Sequence, residues 1–190
     1  MHRLAQIAAL DPKRKYHVIS GFFRKLGVQN KIYDKMADLS HKEQVTYFKN
    51  YVIAIAGDFP DNLFYNYLRP GSEGDLFDSC SIAIDFSWQH NQLLENSKIC
   101  NYLTHGLCPV AQLPAPSFRY VQRFRFGQVV RHDATPSEWL EAIRACSESI
   151  NLSERNRVRR EAGQFFNWEN VAFEVASFLF SYAAKHVSTS

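Results

Sequence analysis

The residues best suited by type and position to bind a ligand are Asn96, Ser97 and Lys98, which begin a predicted helix over residues 96–105. The first backbone amides of a helix have no acceptor within the helix, so together with the helix dipole they attract an anion. Ser97 could add a hydroxyl donor and Lys98 a positive charge, which would suit a diphosphate without a metal ion. The same residues are also ordinary capping residues with a solvated lysine, and taken alone they favour that simpler interpretation.

Other polar residues follow predicted strands. His90 and Glu95 lie in the loop after the apolar run at 81–86, at the end of the predicted sheet where ligands bind. Asp58 and Asp85 are predicted to end strands and could act as polar clamps. Because no second carboxylate stands at a spacing that identifies an acid/base pair, the sequence assigns no catalytic residue.

Composition indicates a folded globular protein. The apolar fraction is 46% and the net charge of +3 is spread along the chain, except for a group of arginines at 155, 157, 159 and 160 that reads as a solvated helix face. We therefore expect no nucleic-acid partner. The cysteines form no CxxC pair and have no nearby histidine at metal-ligand spacing, so reduced thiols and no metal site are expected at Cys80, Cys100, Cys108 and Cys146.

The location of the protein is predicted from its apolar runs. No run is long enough to cross a bilayer, and residues 1–10 lack the apolar core of a signal peptide. A cytoplasmic protein is the expectation. Contact with a membrane surface stays open, since no strongly basic amphipathic helix is evident in the pattern.

Short apolar runs alternate with amphipathic stretches, which indicates an α/β layer structure in one domain over residues 1–190. Helices are predicted to start at the capping boxes Ser40/Glu43, running to about residue 50, and Thr135/Glu138. Two more are predicted at 153–166 and 168–184. Strands are predicted at 16–20, 31–33, 51–56, 81–86, 109–113 and 128–131.

Residues 96–116, NSKICNYLTHGLCPVAQLPAP, resemble the donor-binding segment of GT-B glycosyltransferases, in which a Lys, a polar residue and a Tyr precede a glycine-containing turn into a strand. The resemblance continues through RFG at 125–127, the TPSEWLEAI helix and FNWENVAFEV at 166–175, so it covers roughly the last half of the chain. Upstream, the order of elements is similar to the bacterial glucuronosyltransferase branch of this fold.

This resemblance implies a Rossmann-like three-layer α/β domain with a mostly parallel sheet of about six strands, the C-terminal half of a GT-B enzyme. It implies a nucleotide-activated sugar as ligand, in particular a UDP-sugar, and no further cofactor. The residues that would bind the donor are Asn96, Ser97, Lys98, Asn101 and Tyr102, with Met36 against the base. His90 and Glu95 are possible sugar contacts.

Each of these roles has a simpler alternative for some of the residues: Met36 can fill the core, and His90 and Glu95 can be solvated loop side chains. Asn101 stands where the commonest GT-B pattern has a glutamate that binds the ribose diol, and the second glutamate of that pattern would fall at Leu93. The pair is absent, which puts retaining chemistry of that type in doubt, although an amide can still bind a diol. Tyr102 either packs on the base or fills the helix–sheet interface, and the interface is the simpler role.

The resemblance further implies that the acceptor and the catalytic base come from an N-terminal domain. A split enzyme with a partner subunit, an excised domain and a relative that only binds are all compatible with this, and the sugar, acceptor and stereochemical outcome are undetermined. The alternative from another functional class is a non-enzymatic interaction module, with the aromatic stretch at 59–68 as partner surface. A dinucleotide-dependent oxidoreductase is disfavoured because no GxGxxG follows a strand.

Overall fold

The computed structural model of the chain describes residues 2–19, 39–66, 74–86, 97–113 and 118–167, together with positions 169, 172, 176 and 177. The chain forms two compact units, Met1–Leu76 with Asp133–Glu141 and Phe77–His132 with Ala142–Ser190. The expectation of one domain over residues 1–190 stays a prediction. In order, the described elements are α1 (His2–Leu10), β1 (Tyr16–Ile19), α2 (His41–Ala56), β2 (Leu63–Asn66), α3 (Gly74–Ser79), β3 (Ile82–Asp85), α4 (Ser97–Thr104), β4 (Cys108–Gln112), α5 (Phe118–Phe124), β5 (Gln128–Val130), α6 (Pro136–Ser149) and α7 (Leu152–Phe165).

The first unit contains a two-stranded parallel sheet, in which β1 pairs with β2 and Tyr16 lies opposite Leu63. Tyr16, Val18, Leu63 and Tyr65 are buried, so alternate residues of both strands form one apolar face. Helix α2 packs beside this sheet, and the ring of Phe48 stacks on Tyr65 with centroids 4.8 Å apart.

The side-chain amide of Asn62 binds backbone carbonyls beside the start of this sheet. The Nδ2 group of Asn62 donates to the carbonyl oxygens of Ala8, Asp11 and Arg14 at 3.0, 2.9 and 2.8 Å. The backbone carbonyl oxygen of Asn62 in turn accepts a hydrogen bond from the backbone N–H of Tyr16 at 2.8 Å. Asn62 therefore joins the end of α1 to the start of both strands.

The prediction of a strand at 51–56 is wrong, because these residues form the last part of helix α2. Phe48 and Val52 are buried one helical turn apart, so the apolar residues follow the helical period. The predicted capping box at Ser40 is confirmed, and the helix ends only at Gly57, whose φ of 85° lies in the left-handed region. The apolar run was read as a strand because its residue types, rather than its spacing, resemble one.

The strand that does pair with β1 is β2, which lies inside the aromatic stretch at 59–68. Leu63 and Tyr65 are buried whereas the side chain of Phe64 is 39% exposed, as expected for a strand with one covered face. The strand predicted at 31–33 lies outside the described residues.

The second unit contains a three-stranded parallel sheet with the order β3-β4-β5. Strand β4 is central and every one of its residues is buried. Helix α4 connects β3 to β4 and α5 connects β4 to β5, so both connections are strand–helix–parallel strand crossovers. These strands match the predicted runs at 81–86, 109–113 and 128–131 to within about a residue at most ends.

Parallel sheets flanked by helices confirm the predicted α/β class, consistent with a Rossmann-like arrangement. The five described strands form two separate sheets, whereas one sheet of about six strands was expected. The helix beginning at Thr135 is confirmed with its capping box, since the Thr135 N–H donates to Glu138 Oε2 at 2.6 Å. Of the predicted helix at 168–184, only the described positions 169, 172, 176 and 177 can be compared, and they are helical.

Two glycines in the second unit are required by close backbone approach. Gly106 ends the turn after α4 with a φ of 68°, and a Cβ there would lie 2.9 Å from the carbonyl oxygen of Arg155. Gly127 precedes β5 with a φ of 119°, and a Cβ there would overlap the carbonyl oxygen of Pro109. Any side chain at either position would force the elements apart.

Candidate functional site

The start of helix α4 lies at the carboxyl end of strand β3. Asp85 is the last residue of β3, and Lys98 is the second residue of α4. The Lys98 Nζ atom is 4.0 Å from Asp85 Oδ1. This is the edge at which open α/β sheets bind ligands.

The two charged side chains at this edge differ in exposure. The Asp85 side chain is 1% exposed, whereas that of Lys98 is 63% exposed. Asp85 therefore supplies an anionic neighbour for a lysine that the helix dipole would otherwise disfavour at this position. At 4.0 Å and with one partner in solvent, the pair contributes only about 0–1 kcal/mol.

Two further predicted site residues lie one turn along α4. Asn101 and Tyr102 are three and four residues after Lys98, so all three share a helix face. Asn101 is exposed. The Tyr102 ring packs edge-on against Phe77 with centroids 6.1 Å apart, and burial and then the nearby charge of Asp85 raise the pKa of its hydroxyl above the ordinary range. The hydroxyl is thus protonated at neutral pH. The ring packs against helix α3, which contains Phe77, so this contact is between two helices, whereas a helix–sheet interface was the predicted role.

An arginine that sequence reasoning placed on a solvated face instead fixes α4. Arg155 of α7 is half-buried, and its Nε–H donates to Gly106 O at 3.1 Å while Nη2 donates to Cys80 O at 3.0 Å. These bonds join α7 to the residue that ends the α4 turn and to the segment leading into β3. The sequence carried no signal for this, because an arginine in a helix of charged residues looks solvated.

Four other predicted site residues lie outside the described part of the chain, whereas Ser97 and Asp58 lie within it. Asn96, Met36, His90 and Glu95 lie outside the described residues, and Ser97 is described only as the first residue of α4. Asp58 follows the end of α2 rather than a strand, and its Oδ1 accepts the backbone N–H of Phe59 at 2.7 Å. Of the two aspartates considered as clamps, Asp85 alone ends a strand.

The cysteines differ in burial, and the described acidic and histidine side chains are dispersed. Across the described residues, no three His, Cys, Asp or Glu side chains lie together as a metal site would need. Cys108 and Cys146 are buried, while Cys80 and Cys100 are half-buried, and all four are free thiols. Burial raises the pKa of the Cys80 thiol. No helix in the described ranges is long and apolar enough to cross a membrane.

Comparison with known proteins gives a coarse structural similarity. No protein-family model matches this chain, and no curated protein matches it. Among solved structures, the chain is similar to the crystal structure of WaaG, a glycosyltransferase involved in lipopolysaccharide biosynthesis. The two are 12% identical in sequence with a TM-score of 0.48, and the match covers 85% of this chain and 46% of the WaaG chain.

Proposed function

We propose that this chain binds a nucleotide-activated sugar, in particular a UDP-sugar, as the donor-binding part of a glycosyltransferase. The observation that carries the proposal is the start of α4 at the carboxyl end of β3, with the exposed Lys98 ammonium beside the buried Asp85. The resemblance of residues 96–116 to a GT-B donor segment supports the same ligand. The glucuronosyltransferase branch is part of this proposal and rests only on the order of the elements upstream, from residue 16 to the helix that starts at Ser40.

The chemistry of the edge suits a diphosphate. The amides of the first α4 turn and the Lys98 ammonium would face the phosphate oxygens, while Asp85 positions the ammonium. An ammonium has three N–H donors, so it can remain near Asp85 while it binds a phosphate oxygen. A charge-assisted hydrogen bond of this kind contributes about 1.5–3 kcal/mol, more than the long 4.0 Å ion pair between Lys98 and Asp85.

The alternative of an interaction module depends on a continuous aromatic surface at 59–68. Within its described part, Leu63 and Tyr65 belong to the core of the first unit and Phe64 is exposed. The described residues therefore alternate between core and surface, and they favour the donor-binding proposal.

A panel of nucleotide sugars tests the proposal. Thermal unfolding would be measured with UDP-, GDP-, ADP- and CMP-sugars in the presence of EDTA. A ligand at about 100 times its Kd stabilises the native state by about 2.7 kcal/mol, which for a chain of this size raises Tm by about 5–11 °C. We expect this rise for the UDP-sugar. No rise with any nucleotide at millimolar concentration, or a strict requirement for magnesium or manganese, would contradict the proposal.

The same proposal predicts no sugar transfer by the isolated chain, because the acceptor and catalytic base are assigned to another domain or subunit. Release of UDP from a UDP-sugar would be followed with the purified protein. Sustained turnover would show that the base lies within this chain.

A further inference from the structure

Helix α5, which the sequence did not predict, has one apolar face and one basic face. Val121 and Phe124 are buried, while Arg119, Gln122 and Arg123 are exposed. Arg125 follows directly, exposed and with a φ of 49°. The apolar positions therefore point inward and arginines cover the outer side.

Aromatic rings adjoin these arginines at the end of α7. The Phe165 side chain is 39% exposed, and Tyr120 and Phe166 are half-buried. The Arg123 guanidinium lies 4.0 Å from the centre of the Phe165 ring. We call this surface the basic–aromatic patch, and it consists of Arg119, Tyr120, Arg123, Arg125, Phe165 and Phe166.

The patch carries net positive charge. No acidic residue occurs between Glu95 and Asp133, a segment that contains all the arginines of the patch. The two carboxylates of α7 both bind Arg157, which contacts Glu154 at 2.7 Å and Glu161 at 2.8 Å. The same guanidinium donates to Phe124 O at 3.1 Å, so it also holds α5 in place. Beyond α7, the exposed Glu169 lies three residues after Phe166, so the three arginines of the patch outnumber it.

We propose that the basic–aromatic patch binds the surface of a membrane containing anionic lipids. Arginines near an anionic bilayer each contribute about a fivefold gain in binding, and half-exposed aromatic rings suit the headgroup region. The ring arrangement disfavours single-stranded nucleic acid, because base stacking needs open ring faces. Here Arg123 covers a face of Phe165, and Phe165 and Phe166 meet edge to face at 5.0 Å.

The patch is separate from the proposed donor site. Helix α5 leaves the carboxyl end of β4 and returns to the start of β5, so Arg123 and Arg125 lie toward the opposite edge of the sheet from Lys98. Membrane binding and donor binding can therefore be tested independently. Loss of one leaves the other proposal standing.

Vesicle co-sedimentation of the full chain tests this inference. Phosphatidylcholine vesicles with about one third phosphatidylglycerol would be compared with pure phosphatidylcholine at low salt. The test variant is Arg123→Gln with Arg125→Asn, since asparagine tolerates the left-handed backbone. The matched control is Arg144→Gln with Arg159→Gln, which changes net charge equally at exposed positions outside the patch. Thermal unfolding would verify that both variants fold.

We expect the parent to bind the anionic vesicles and not the neutral ones. Loss of two patch arginines should weaken binding about 25-fold, whereas the control should stay within about threefold of the parent. Equal weakening of both variants would indicate general charge attraction and overturn the proposal. So would absence of parental binding, or tighter binding of a single-stranded oligonucleotide than of the vesicles.

Discussion

Replacement of Arg155 by alanine should destabilise the second unit strongly, because its guanidinium joins three segments of the fold. The side chain is half-buried and makes two hydrogen bonds, to Gly106 O and Cys80 O at 3.1 and 3.0 Å. Hydrogen bonds from charged groups contribute about 1.5–3 kcal/mol each, and partial exposure lowers this. We expect Arg155→Ala to lower the free energy of unfolding by about 2–4 kcal/mol, and Tm by about 5–15 °C.

Arg159 provides a matched control one turn along the same helix. Its side chain is 55% exposed, and its nearest acidic partner, Asp78, is 3.7 Å away. Arg159→Ala should therefore change stability by no more than about 0.5 kcal/mol. Arg155→Lys should recover part of the loss, since an ammonium can reach one carbonyl but lacks the fork that binds two.

Urea unfolding followed by far-ultraviolet circular dichroism would measure all three variants. The midpoint for Arg155→Ala should fall well below that for Arg159→Ala. If the two midpoints coincide, Arg155 does not act as the proposed connection, and the hydrogen bonds to Gly106 and Cys80 contribute little.

Two further predictions concern the first unit. Asn62→Asp should lower the free energy of unfolding in urea by more than about 2 kcal/mol, because a carboxylate would face three carbonyl oxygens in place of an N–H donor. The control Asn50→Ala, at an exposed position of α2, should change it by no more than about 0.5 kcal/mol, and equal effects of the two variants would refute the role of Asn62. The hydroxyl and amide of Ser40 hold the pKa of Glu43 below its ordinary value, so this carboxylate stabilises the fold above the unfolded pKa and the stabilisation is lost as the pH falls through the folded value. Glu43→Gln should therefore flatten the dependence of Tm on pH between about pH 5 and 3, and an unchanged slope would contradict this.

The sequence predicted the elements whose ends are marked by local chemistry. Ser40 and Thr135 start helices through capping boxes, which depend on residues three positions apart and on nothing else in the fold. The buried strand β4 was predicted for a similar reason, because a short apolar run between a glycine turn and prolines is too short for a helix and is typical of a buried strand.

The errors arose where local preference was ambiguous. The run at 51–56 is rich in residues that favour strands, but its helical burial period becomes visible only from Phe48 and Val52. The first three residues of strand β2 are apolar or aromatic on both faces, so the strand showed no clear alternation of polarity. Helix α5 is seven residues long, with Phe118, Val121 and Phe124 three positions apart. A helix of this length is too short to show a clear helical period in the sequence.

The candidate site was predictable only in part. The position of α4 after β3 followed from the order of the predicted elements. The ion pair of Lys98 with Asp85 and the bonds of Arg155 depend on tertiary contacts between segments distant in sequence, 75 residues apart for Arg155 and Cys80. No spacing rule predicts such contacts.

The most direct test of donor binding at α4 is calorimetry of UDP with the parent chain and Lys98→Ala in EDTA. Lys42→Ala is the matched control, because Lys42 is likewise an exposed lysine at the second position of a helix. Loss of a charge-assisted hydrogen bond of about 1.5–3 kcal/mol should raise Kd about 10- to 150-fold for Lys98→Ala while its unfolding free energy stays within about 0.5 kcal/mol of the parent. Lys42→Ala should bind as the parent does. Binding by Lys98→Ala as tight as that of the parent, or no binding of UDP by the parent at millimolar concentration, would contradict the donor site.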